Sequence, residues 1–328
     1  MGNATVIRIV DGQPALETVP LADGHDAVRV KVAAASICGS DLHMVSLGMA
    51  EGRVLGHEFA GVTSDGTAVA IEPFLTCGSC VQCLDGELVH CESNWQGIGL
   101  HVDGGMATEV IVPAHTLVPL PSGLDVALAS MVEPLAVAVH GANRASIIDT
   151  DAVLVIGAGS VGLAVAAVLR DRGCTFDVVV RHPHQQAAAQ RLGARSAVLD
   201  VSELTGGYDV VVDAVGTTET VASAVDQLAP RGRISMLGVF WEPVSVSNEM
   251  LMKEVTFIPA MTYRGSSGPG TSGSGDTREF VDAARILADR PDVADTIVTH
   301  RFPLDGAVEA FETAADRRSG AIKVAFVP

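Results

Sequence analysis

The sequence has few basic residues, and this shortage excludes two classes of partner. It contains 21 Lys and Arg against 39 Asp and Glu, a formal net charge of −18 at pH 7. Nucleic acids and anionic membrane surfaces are both bound through clusters of basic side chains. We therefore expect no nucleic-acid partner and no membrane partner, whereas a small-molecule substrate is fully compatible with this charge.

The sequence also lacks an evident targeting segment. Residues 1–10 do not show the basic and then apolar layout of a signal peptide. One run without a charge, residues 152–169, reaches the lower length limit of a membrane span, but three glycines and a serine interrupt it. We interpret this run as a strand, a turn and a buried helix, and we expect a cytoplasmic protein.

Cysteine is scarce, with six in 328 residues, so a disulfide scaffold is excluded. Hydrophobic residues make up 48% and charged residues 18%, which favours a folded chain with a large core, and the length suits two domains. Four of the cysteines are clustered in one short loop: Cys77, Cys80, Cys83 and Cys91. Four thiolates at this spacing suit a closed tetrahedral zinc site. The alternatives are ordinary reduced cysteines and an iron–sulfur cluster, whose common spacings differ.

Strand and helix patterns divide the chain near residue 130. Up to about residue 125, short segments punctuated by Gly and Pro predict a β-rich, partly barrel-like domain. From about residue 133, strands and helices alternate, which indicates βαβ units and a parallel sheet. The predicted order is strand 152–156, helix 161–172, strand 176–180, helix 185–192, strand 209–212, helix 219–228 and strand 233–237.

Two later features remain open on the sequence alone. The Gly- and Ser-rich segment 264–276 is interpreted either as a flexible surface loop or as a mobile flap near the site. Lys323 is one of only three lysines, and we expect either a surface role or a contact with a cofactor.

A second set of metal-binding side chains lies upstream of the cysteine loop. Cys38, His57 and Glu58 offer a thiolate, an imidazole and a carboxylate. A catalytic zinc needs three protein ligands and one open position, which such a set can provide. Taken singly, His57 could be a hydrogen-bonded core histidine and Cys38 a small buried hydrophobic residue.

A glycine motif follows the strand predicted at 152–156 and opens the next helix. Its residues that would face a dinucleotide pyrophosphate are Gly157, Gly159, Ser160, Val161 and Gly162. The glycines permit a tight turn and close approach of the phosphates to the helix N-terminus. The alternative is a glycine-rich turn that binds no ligand.

The end of the second strand of this pattern predicts which nicotinamide cofactor is preferred. An NAD site usually presents Asp or Glu there, whereas this sequence has Arg181 followed by His182 and His184. Because an arginine can pair with a 2′-phosphate, we expect NADP(H) to be preferred over NAD(H). The alternative is a solvated arginine with incidental histidines.

Five motifs, taken in order, resemble those of the zinc-dependent medium-chain alcohol and polyol dehydrogenases. They are CGSDLH at 38–43, GHE at 56–58, the four-cysteine loop, EPLAVAVH at 133–140 and GAGSVG at 157–162. The resemblance implies an α/β fold with a GroES-like β-rich catalytic domain over residues 1–127, completed by 268–328. It also implies a Rossmann-type, doubly wound parallel-sheet domain over residues 128–267.

The same resemblance implies roles at the upstream metal set. Cys38 and His57 would bind a catalytic zinc, and Glu133 stands where many relatives have a third cysteine ligand, as in the sorbitol- and threonine-dehydrogenase-like branch. Either Glu58 or Glu133 would complete the zinc ligands, and the two can exchange. Alternatively, Glu58 does not bind the metal itself but contacts a residue that does, and Glu133 merely stands before Pro134 at the start of a helix. Ser40 and His43 would form a proton relay through the cofactor ribose.

Further contacts and partners follow from the resemblance. Val215, Gly216 and Gly238, at the ends of later strands, would lie beside the nicotinamide; alternatively, they form plain turns at the strand ends. Relatives form dimers or tetramers through the cofactor domain, and the apolar run 255–260 would suit such an interface or a core strand.

We therefore expect an enzyme that moves a hydride between NADP(H) and a secondary alcohol or polyol, or its ketone, with two zinc ions per chain. One alternative is a reductase of activated double bonds, as in zinc-free relatives. The other is a non-catalytic sensor that binds zinc and nucleotide.

Overall fold

The computed structural model of the protein describes residues 2–21, 27–265, 279–316 and 318–328. The chain divides into two compact units, of which the first comprises Met1–Glu133 with Arg264–Pro328 and the second Pro134–Tyr263. Most of the Gly- and Ser-rich segment 264–276 lies outside the described residues.

The described strands, numbered along the chain, are β1 (Asn3–Val10), β2 (Gln13–Pro20), β3 (Ala27–Ser36), β4 (Glu58–Thr63), β5 (Ala68–Ile71), β6 (Phe74–Leu75), β7 (Gln96–Gly97), β8 (Glu109–Pro113), β9 (Leu117–Pro119), β10 (Ala152–Ile156), β11 (Thr175–Val179), β12 (Ser196–Val198), β13 (Tyr208–Asp213), β14 (Leu228–Met236), β15 (Thr256–Pro259), β16 (Val298–Phe302) and β17 (Lys323–Phe326).

The described α-helices are α1 (Gly39–Ser46), α2 (Val81–Leu84), α3 (Val132–Arg144), α4 (Ser160–Asp171), α5 (Pro183–Arg191), α6 (Thr218–Gln227), α7 (Asn248–Met252), α8 (Glu279–Asp289), α9 (Asp292–Ile297) and α10 (Ala307–Ala315).

The first unit is built on a mainly antiparallel sheet in the order β16-β17-β3-β4-β5-β9, with β8 also paired to β3. Strand β3 alternates as a half-buried strand should, since Val30 and Val32 are buried and Lys31 between them is exposed. Phe59, Met106 and other apolar side chains fill the core behind it. The C-terminal strand β17 pairs with β3, so the last residues of the chain complete this unit.

The second unit contains a parallel sheet in the order β12-β11-β10-β13-β14-β15. Its strand order reverses direction between β10 and β13, and in sheets of this kind ligands bind beyond the carboxyl ends of the strands at that point. The central strand β10 is almost entirely buried and aliphatic, as expected for a strand covered on both faces. The predicted fold class, a β-rich domain with a Rossmann-type domain, is confirmed.

The charge-free run 152–169 forms β10, a turn and most of α4, in which every residue from Gly162 to Leu169 is buried. A different stretch, Val126–Arg144, is the one helical segment of the described residues long and apolar enough to span a membrane, and 72% of its most apolar window is buried. Such burial is that of a core helix rather than of a surface facing lipid.

Candidate functional site

Strand pairing brings the upstream metal set together. Ser36, the last residue of β3, lies opposite Glu58, the first residue of β4. Cys38 follows Ser36 by two residues and His57 directly precedes Glu58, so both side chains project from the same end of this strand pair. One ligand atom each from Cys38, His57 and Glu58 lies within 4.8 Å of the other two. A thiolate, an imidazole and a carboxylate at this separation fit a zinc ion.

Asp41, which the sequence predictions did not single out, supports two of these residues. The carboxylate is fully buried, accepts a hydrogen bond of 2.8 Å from the Cys38 backbone N–H and lies 3.4 Å from His57 Nδ1. Burial by itself lowers the pKa of His57, but the adjacent Asp41 and Cys38 outweigh it and raise this pKa well above its usual value. Neither Asp41 Oδ1 nor His57 Nδ1 has a hydrogen-bond partner among the described residues, so this contact is electrostatic. A carboxylate beside Nδ1 favours an imidazole orientation that leaves Nε2 for a metal.

Lys323 lies behind Glu58 in the interior of the first unit. Its ammonium donates to both Glu58 carboxylate oxygens at 2.7 Å each and to the Ile37 carbonyl oxygen at 3.1 Å. The side chain is buried, so the surface role given as one expectation for Lys323 is wrong. Desolvation lowers the pKa of Lys323, but the negative charges of Glu58 and Cys38 raise it overall, which keeps the lysine cationic.

Glu133 is the second residue of α3, in its first turn, and is buried near His57, Glu58 and Lys323. Desolvation raises the pKa of its carboxyl group to about 7, with Glu58 and Asp41 adding to the rise and His57 and Lys323 opposing it. A buried carboxylate without enough compensating charge is a site that a cation stabilises. The cluster whose ligand atoms all lie within 4.8 Å of one another contains Cys38, His57 and Glu58 but not Glu133. Glu133 therefore lies beside the metal set rather than within it.

Ser40 and His43 lie on α1, directly after Cys38. Residues three apart on a helix share one face, so their side chains are neighbours. His43 Nδ1 lies 2.8 Å from the Gly39 carbonyl oxygen, which orients the ring toward the start of the helix. Both side chains are partly accessible to solvent, which a proton relay requires.

The four loop cysteines converge on one point, with their sulfur atoms within 4.8 Å of one another. Backbone N–H groups donate to three of these sulfurs, from Cys80 to Cys77 Sγ, from Cys83 to Cys80 Sγ and from Cys77 to Cys91 Sγ. Backbone hydrogen bonds from Ser79 and Cys80 lower the pKa of the Cys77 thiol to about 5, whereas burial raises that of Cys83 to about 12. A closed set of four sulfur donors fits structural zinc.

The loop is attached to the segment that follows the second unit. The Arg264 guanidinium donates to the Asp85 carbonyl oxygen and lies 3.5 Å from the Glu87 carboxylate. The Gly265 backbone N–H donates to the Gly86 carbonyl oxygen at 2.8 Å. Arg264 and Gly265, the first two residues of the Gly- and Ser-rich segment, therefore contact the cysteine loop.

In the second unit, the glycine motif forms the turn between β10 and α4. Gly157 has a φ of +96°, a backbone conformation that residues other than glycine rarely adopt. A Cβ on Gly162 would lie 1.8 Å from the Gly157 carbonyl oxygen, so only glycine allows this close packing. Gly159 is the N-cap of α4, and Ser160 and Val161 are its first residues, which places free backbone N–H groups where a pyrophosphate binds.

The later predicted cofactor residues lie at the carboxyl end of the same sheet. Buried Asp213, which the predictions had not assigned a role, accepts hydrogen bonds from the backbone N–H groups of Val215 at 2.8 Å and Gly216 at 3.1 Å. Gly238 follows β14 and packs directly against Val215 and Gly216. Asp213 thus fixes the turn that carries two of the three predicted nicotinamide contacts.

Arg181, His182 and His184 follow β11, and His182 is the N-cap of α5. The two imidazole rings are stacked, with centroids 5.4 Å apart and an angle of 8° between planes. The Nε2 atoms of both rings are buried and have no hydrogen-bond partner among the described residues. Burial, with a smaller contribution from His182, lowers the pKa of His184. The exposed Arg181 and two unsatisfied ring nitrogens together form a candidate anion site.

The chain matches two protein families. Residues 24–122 match the alcohol dehydrogenase GroES-like domain, and residues 160–284 match the zinc-binding dehydrogenase family. It is 30% identical to an L-threonine 3-dehydrogenase of Saccharopolyspora erythraea, over 94% of this chain and 95% of that one. It is 29% identical to a sorbitol dehydrogenase of Halalkalibacterium halodurans, over 93% and 92% of the two chains.

Solved structures are similar over their whole length. Galactitol-1-phosphate dehydrogenase from Escherichia coli superposes with a TM-score of 0.88 at 25% identity, covering 99% of this chain and 100% of that one. A chain from Sinorhizobium meliloti 1021, provisionally named a zinc-binding dehydrogenase and solved with NADP bound, superposes with a TM-score of 0.87 at 26% identity, covering 100% of both.

Proposed function

The chain belongs to the zinc-dependent medium-chain dehydrogenases, and from this premise we propose that it transfers a hydride between NADP(H) and a secondary alcohol or polyol, or the corresponding ketone. The observation that carries the proposal is the convergence of Cys38, His57 and Glu58 within 4.8 Å, with Ser40 and His43 on the helix that begins beside them. A double-bond reductase or a nucleotide sensor has no chemical use for this combination.

The first unit supplies the metal and proton chemistry. Cys38 and His57, with one of Glu58 or Glu133, would hold the catalytic ion, and zinc bound there supplies Lewis-acid polarisation of the substrate oxygen. Asp41, whose carboxylate lies 3.4 Å from His57 Nδ1, favours the ring orientation that leaves Nε2 for the metal. Ser40 would accept the hydroxyl proton of the alcohol while giving up its own proton toward His43, which releases a proton to solvent. Cys77, Cys80, Cys83 and Cys91 would hold a second, structural zinc ion.

The second unit supplies the nucleotide site. Gly157 through Gly162 receive the pyrophosphate at the start of α4, and Val215, Gly216 and Gly238 lie farther along the same sheet edge. Bound NADP(H) supplies the hydride acceptor or donor. The NADP preference rests on Arg181, His182 and His184. Arg181, two residues after the end of β11, offers a cation, and the two histidines offer ring nitrogens instead of a carboxylate.

A substrate panel tests the reaction class and narrows the substrate. Alcohols, sugars, aminosugars and ketones are assayed with NADP(H) and NAD(H). Substitution C38A is expected to abolish turnover because the thiolate is a zinc ligand. The matched control is C174A, at a buried cysteine of the second unit outside both metal sets, which should keep its zinc content. Turnover that survives C38A contradicts the zinc mechanism.

We further propose a cytoplasmic homodimer or homotetramer assembled through the second unit. Large apolar side chains are exposed there on Val246, Leu251, Met252 and Met261. Strand β15, which covers most of the predicted run 255–260, is an edge strand of its sheet and is only partly buried. An exposed apolar patch beside a free strand edge is typical of a surface covered by another copy. Light scattering after gel filtration distinguishes dimer from tetramer.

A further inference from the structure

Asp213 is the last residue of β13, one of the two central strands of the parallel sheet. Its side chain is fully buried, and one carboxylate oxygen, Oδ1, accepts hydrogen bonds from the backbone N–H groups of both Val215, at 2.8 Å, and Gly216, at 3.1 Å. The other oxygen, Oδ2, is buried and has no hydrogen-bond partner among the described residues. A single acceptor atom therefore bonds both N–H groups of this turn.

The main chain of Asp213 bonds a second turn, the one that follows β14. Its carbonyl oxygen accepts hydrogen bonds from the backbone N–H groups of Leu237 at 2.9 Å and Gly238 at 3.0 Å. The two turns are in close contact, since a Cβ on Gly238 would lie 2.4 Å from the Gly216 nitrogen and from the Val215 carbonyl carbon. The three residues expected beside the nicotinamide are thus all hydrogen-bonded to one aspartate.

The turn after β13 also contacts the glycine motif. The Ala214 backbone N–H donates to the carbonyl oxygen of Ile156, the last residue of β10, at 3.0 Å. A Cβ on Gly157 would lie 2.5 Å from Val215 Cγ2. The turn 214–216 therefore lies between the turn expected to receive the pyrophosphate and the turn after β14, and it contacts both.

We propose that Asp213 is a positioning residue for the cofactor, whose Oδ1 atom places the turn 214–216 and thereby the nicotinamide, while the glycine motif holds the pyrophosphate independently. This inference rests on the proposed function, in which Val215, Gly216 and Gly238 lie along the cofactor site.

The carboxylate acts here as a hydrogen-bond acceptor and not through its charge. Both hydrogen bonds of the Asp213 side chain go to one oxygen, and none of the ion pairs among the described residues includes it. Burial raises the pKa of the Asp213 carboxyl group, against the opposing effect of the backbone hydrogen bonds from Val215 and Gly216. An uncharged group with an oxygen at the Oδ1 position should therefore serve equally well.

Two substitutions of nearly the same shape separate these roles. D213N keeps an acceptor oxygen for both N–H groups and removes the charge, whereas D213L removes the acceptor and leaves two backbone N–H groups without a partner. A third variant, G238A, keeps Asp213 and displaces the same turn from the other side, because its methyl group would overlap Gly216 and Val215.

The matched control is D209L. Asp209 lies on the same strand, is exposed, and accepts a hydrogen bond of 2.9 Å from the Ala152 backbone N–H. Ala152 is the first residue of β10, so this bond lies at the amino end of the sheet, opposite the cofactor. D209L thus removes a hydrogen bond of the same kind without touching the turn 214–216.

The measurements distinguish the two halves of the cofactor. Each full-length variant is titrated with NADPH and NADH, whose fluorescence reports the surroundings of the nicotinamide ring, and with 2′,5′-ADP and ADP, which carry no nicotinamide. Hydrogen exchange of the Val215 and Gly216 amides in the cofactor-free protein reports the turn itself. The constants kcat and KM are measured with the substrate that the panel identifies.

We expect D213L and G238A to bind the fragments without nicotinamide as the wild type does, but to lose the fluorescence change of the bound ring. Their kcat should fall roughly 10–100-fold, since a misplacement of about 1 Å at a reacting group costs on the order of 100-fold. The Val215 and Gly216 amides should exchange faster in D213L. D213N and D209L should match the wild type in fluorescence, exchange of these amides and kcat.

Three results overturn the inference. One is D213L with the fluorescence change and kcat of the wild type, and another is D213L that loses affinity for the fragments as much as for NADPH or NADH. The third is D213N with the losses expected of D213L, because the charge would then be the essential feature. If D213L does not fold, G238A takes its place, and the first two results overturn the inference there as well.

The proposed function is judged separately, on the wild type. A wild type that binds a nicotinamide cofactor and oxidises or reduces a member of the panel leaves the proposed function standing, whatever the variants show. A wild type that binds neither NADPH nor NADH overturns both.

Discussion

Glu133 gives the zinc-free protein a pH-dependent stability. Desolvation raises the pKa of its carboxyl group from 4.5 to about 7. Between these values the folded state binds more protons than the unfolded state, so stability falls as the pH rises from 4.5 to 7. The loss attributable to Glu133 reaches at most about 3 kcal/mol, since one pKa unit corresponds to about 1.4 kcal/mol.

The variant E133Q isolates this contribution. Urea unfolding of the zinc-free protein at pH 5 and pH 8 should show E133Q nearly as stable as the wild type at the lower pH and more stable at the higher pH. The control is E242Q, at an exposed glutamate, which should have the same stability as the wild type at both pH values. Equal pH dependence in E133Q and the wild type would show that the carboxyl group of Glu133 ionises normally.

Single residues also show where prediction from the sequence ends. Cys38, His57 and Glu58 lie in recognisable strings, and Asp41 stands inside one of them, so all four were within reach of motif analysis. The role of Lys323 could not be predicted in this way, because Lys323 is 265 residues from Glu58 along the chain and no motif surrounds it. Only the pairing of β17 with β3, a long-range event in folding, brings its ammonium to the site.

At the scale of elements, the βαβ order could be read from hydrophobic periodicity, but the element ends could not. Helix α5 was predicted from residue 185 and begins at Pro183, because proline is favoured in the first turn and His182 caps it. Strand β14 was predicted from residue 233 and begins at Leu228, since a register shift opposite β13 accommodates residues that periodicity had assigned to a loop.

The turn between β11 and α5 is the element expected to set cofactor preference. Replacement R181D removes the cation and supplies the carboxylate typical of an NAD site. Because a charge-assisted hydrogen bond contributes about 1.5–3 kcal/mol, kcat/KM for NADP should fall roughly 10–100-fold while that for NAD is maintained or rises. Steady-state kinetics with both cofactors measure the ratio.

The control for this turn is R191A, at an exposed arginine at the far end of the same helix. It should leave the NADP-to-NAD ratio of kcat/KM unchanged, which separates a local effect from a general loss of positive charge. A wild type that prefers NAD, or an R181D variant with an unaltered ratio, contradicts the assignment of Arg181 to the 2′-phosphate.

At the scale of the whole molecule, the two units should depend differently on metal. The cysteine loop has little core of its own, with Cys83, Leu88 and Cys91 among its few buried side chains. We therefore expect its fold to depend on a metal bound by the four sulfurs. Its contacts with Arg264 and Gly265 connect it to the C-terminal part of the first unit. The second unit contains its own sheet and core. Among its described residues, no cluster of metal-binding side chains comparable to the cysteine loop is found.

We therefore expect zinc removal to destabilise the first unit and to spare dinucleotide binding by the second. Full removal with a strong chelator should lower the free energy of unfolding of the first unit by at least ~2 kcal/mol, or roughly 4–8 °C in Tm. The reason is that the thiolate site forms only in the folded state, so the free energy of metal binding adds to that of folding. Calorimetry measures the transition, and NADPH fluorescence measures binding. The variant C77S, altered only in the loop, should reproduce the shift, whereas C38A should not. Loss of NADPH binding together with the zinc would show that the cofactor unit needs the metal after all.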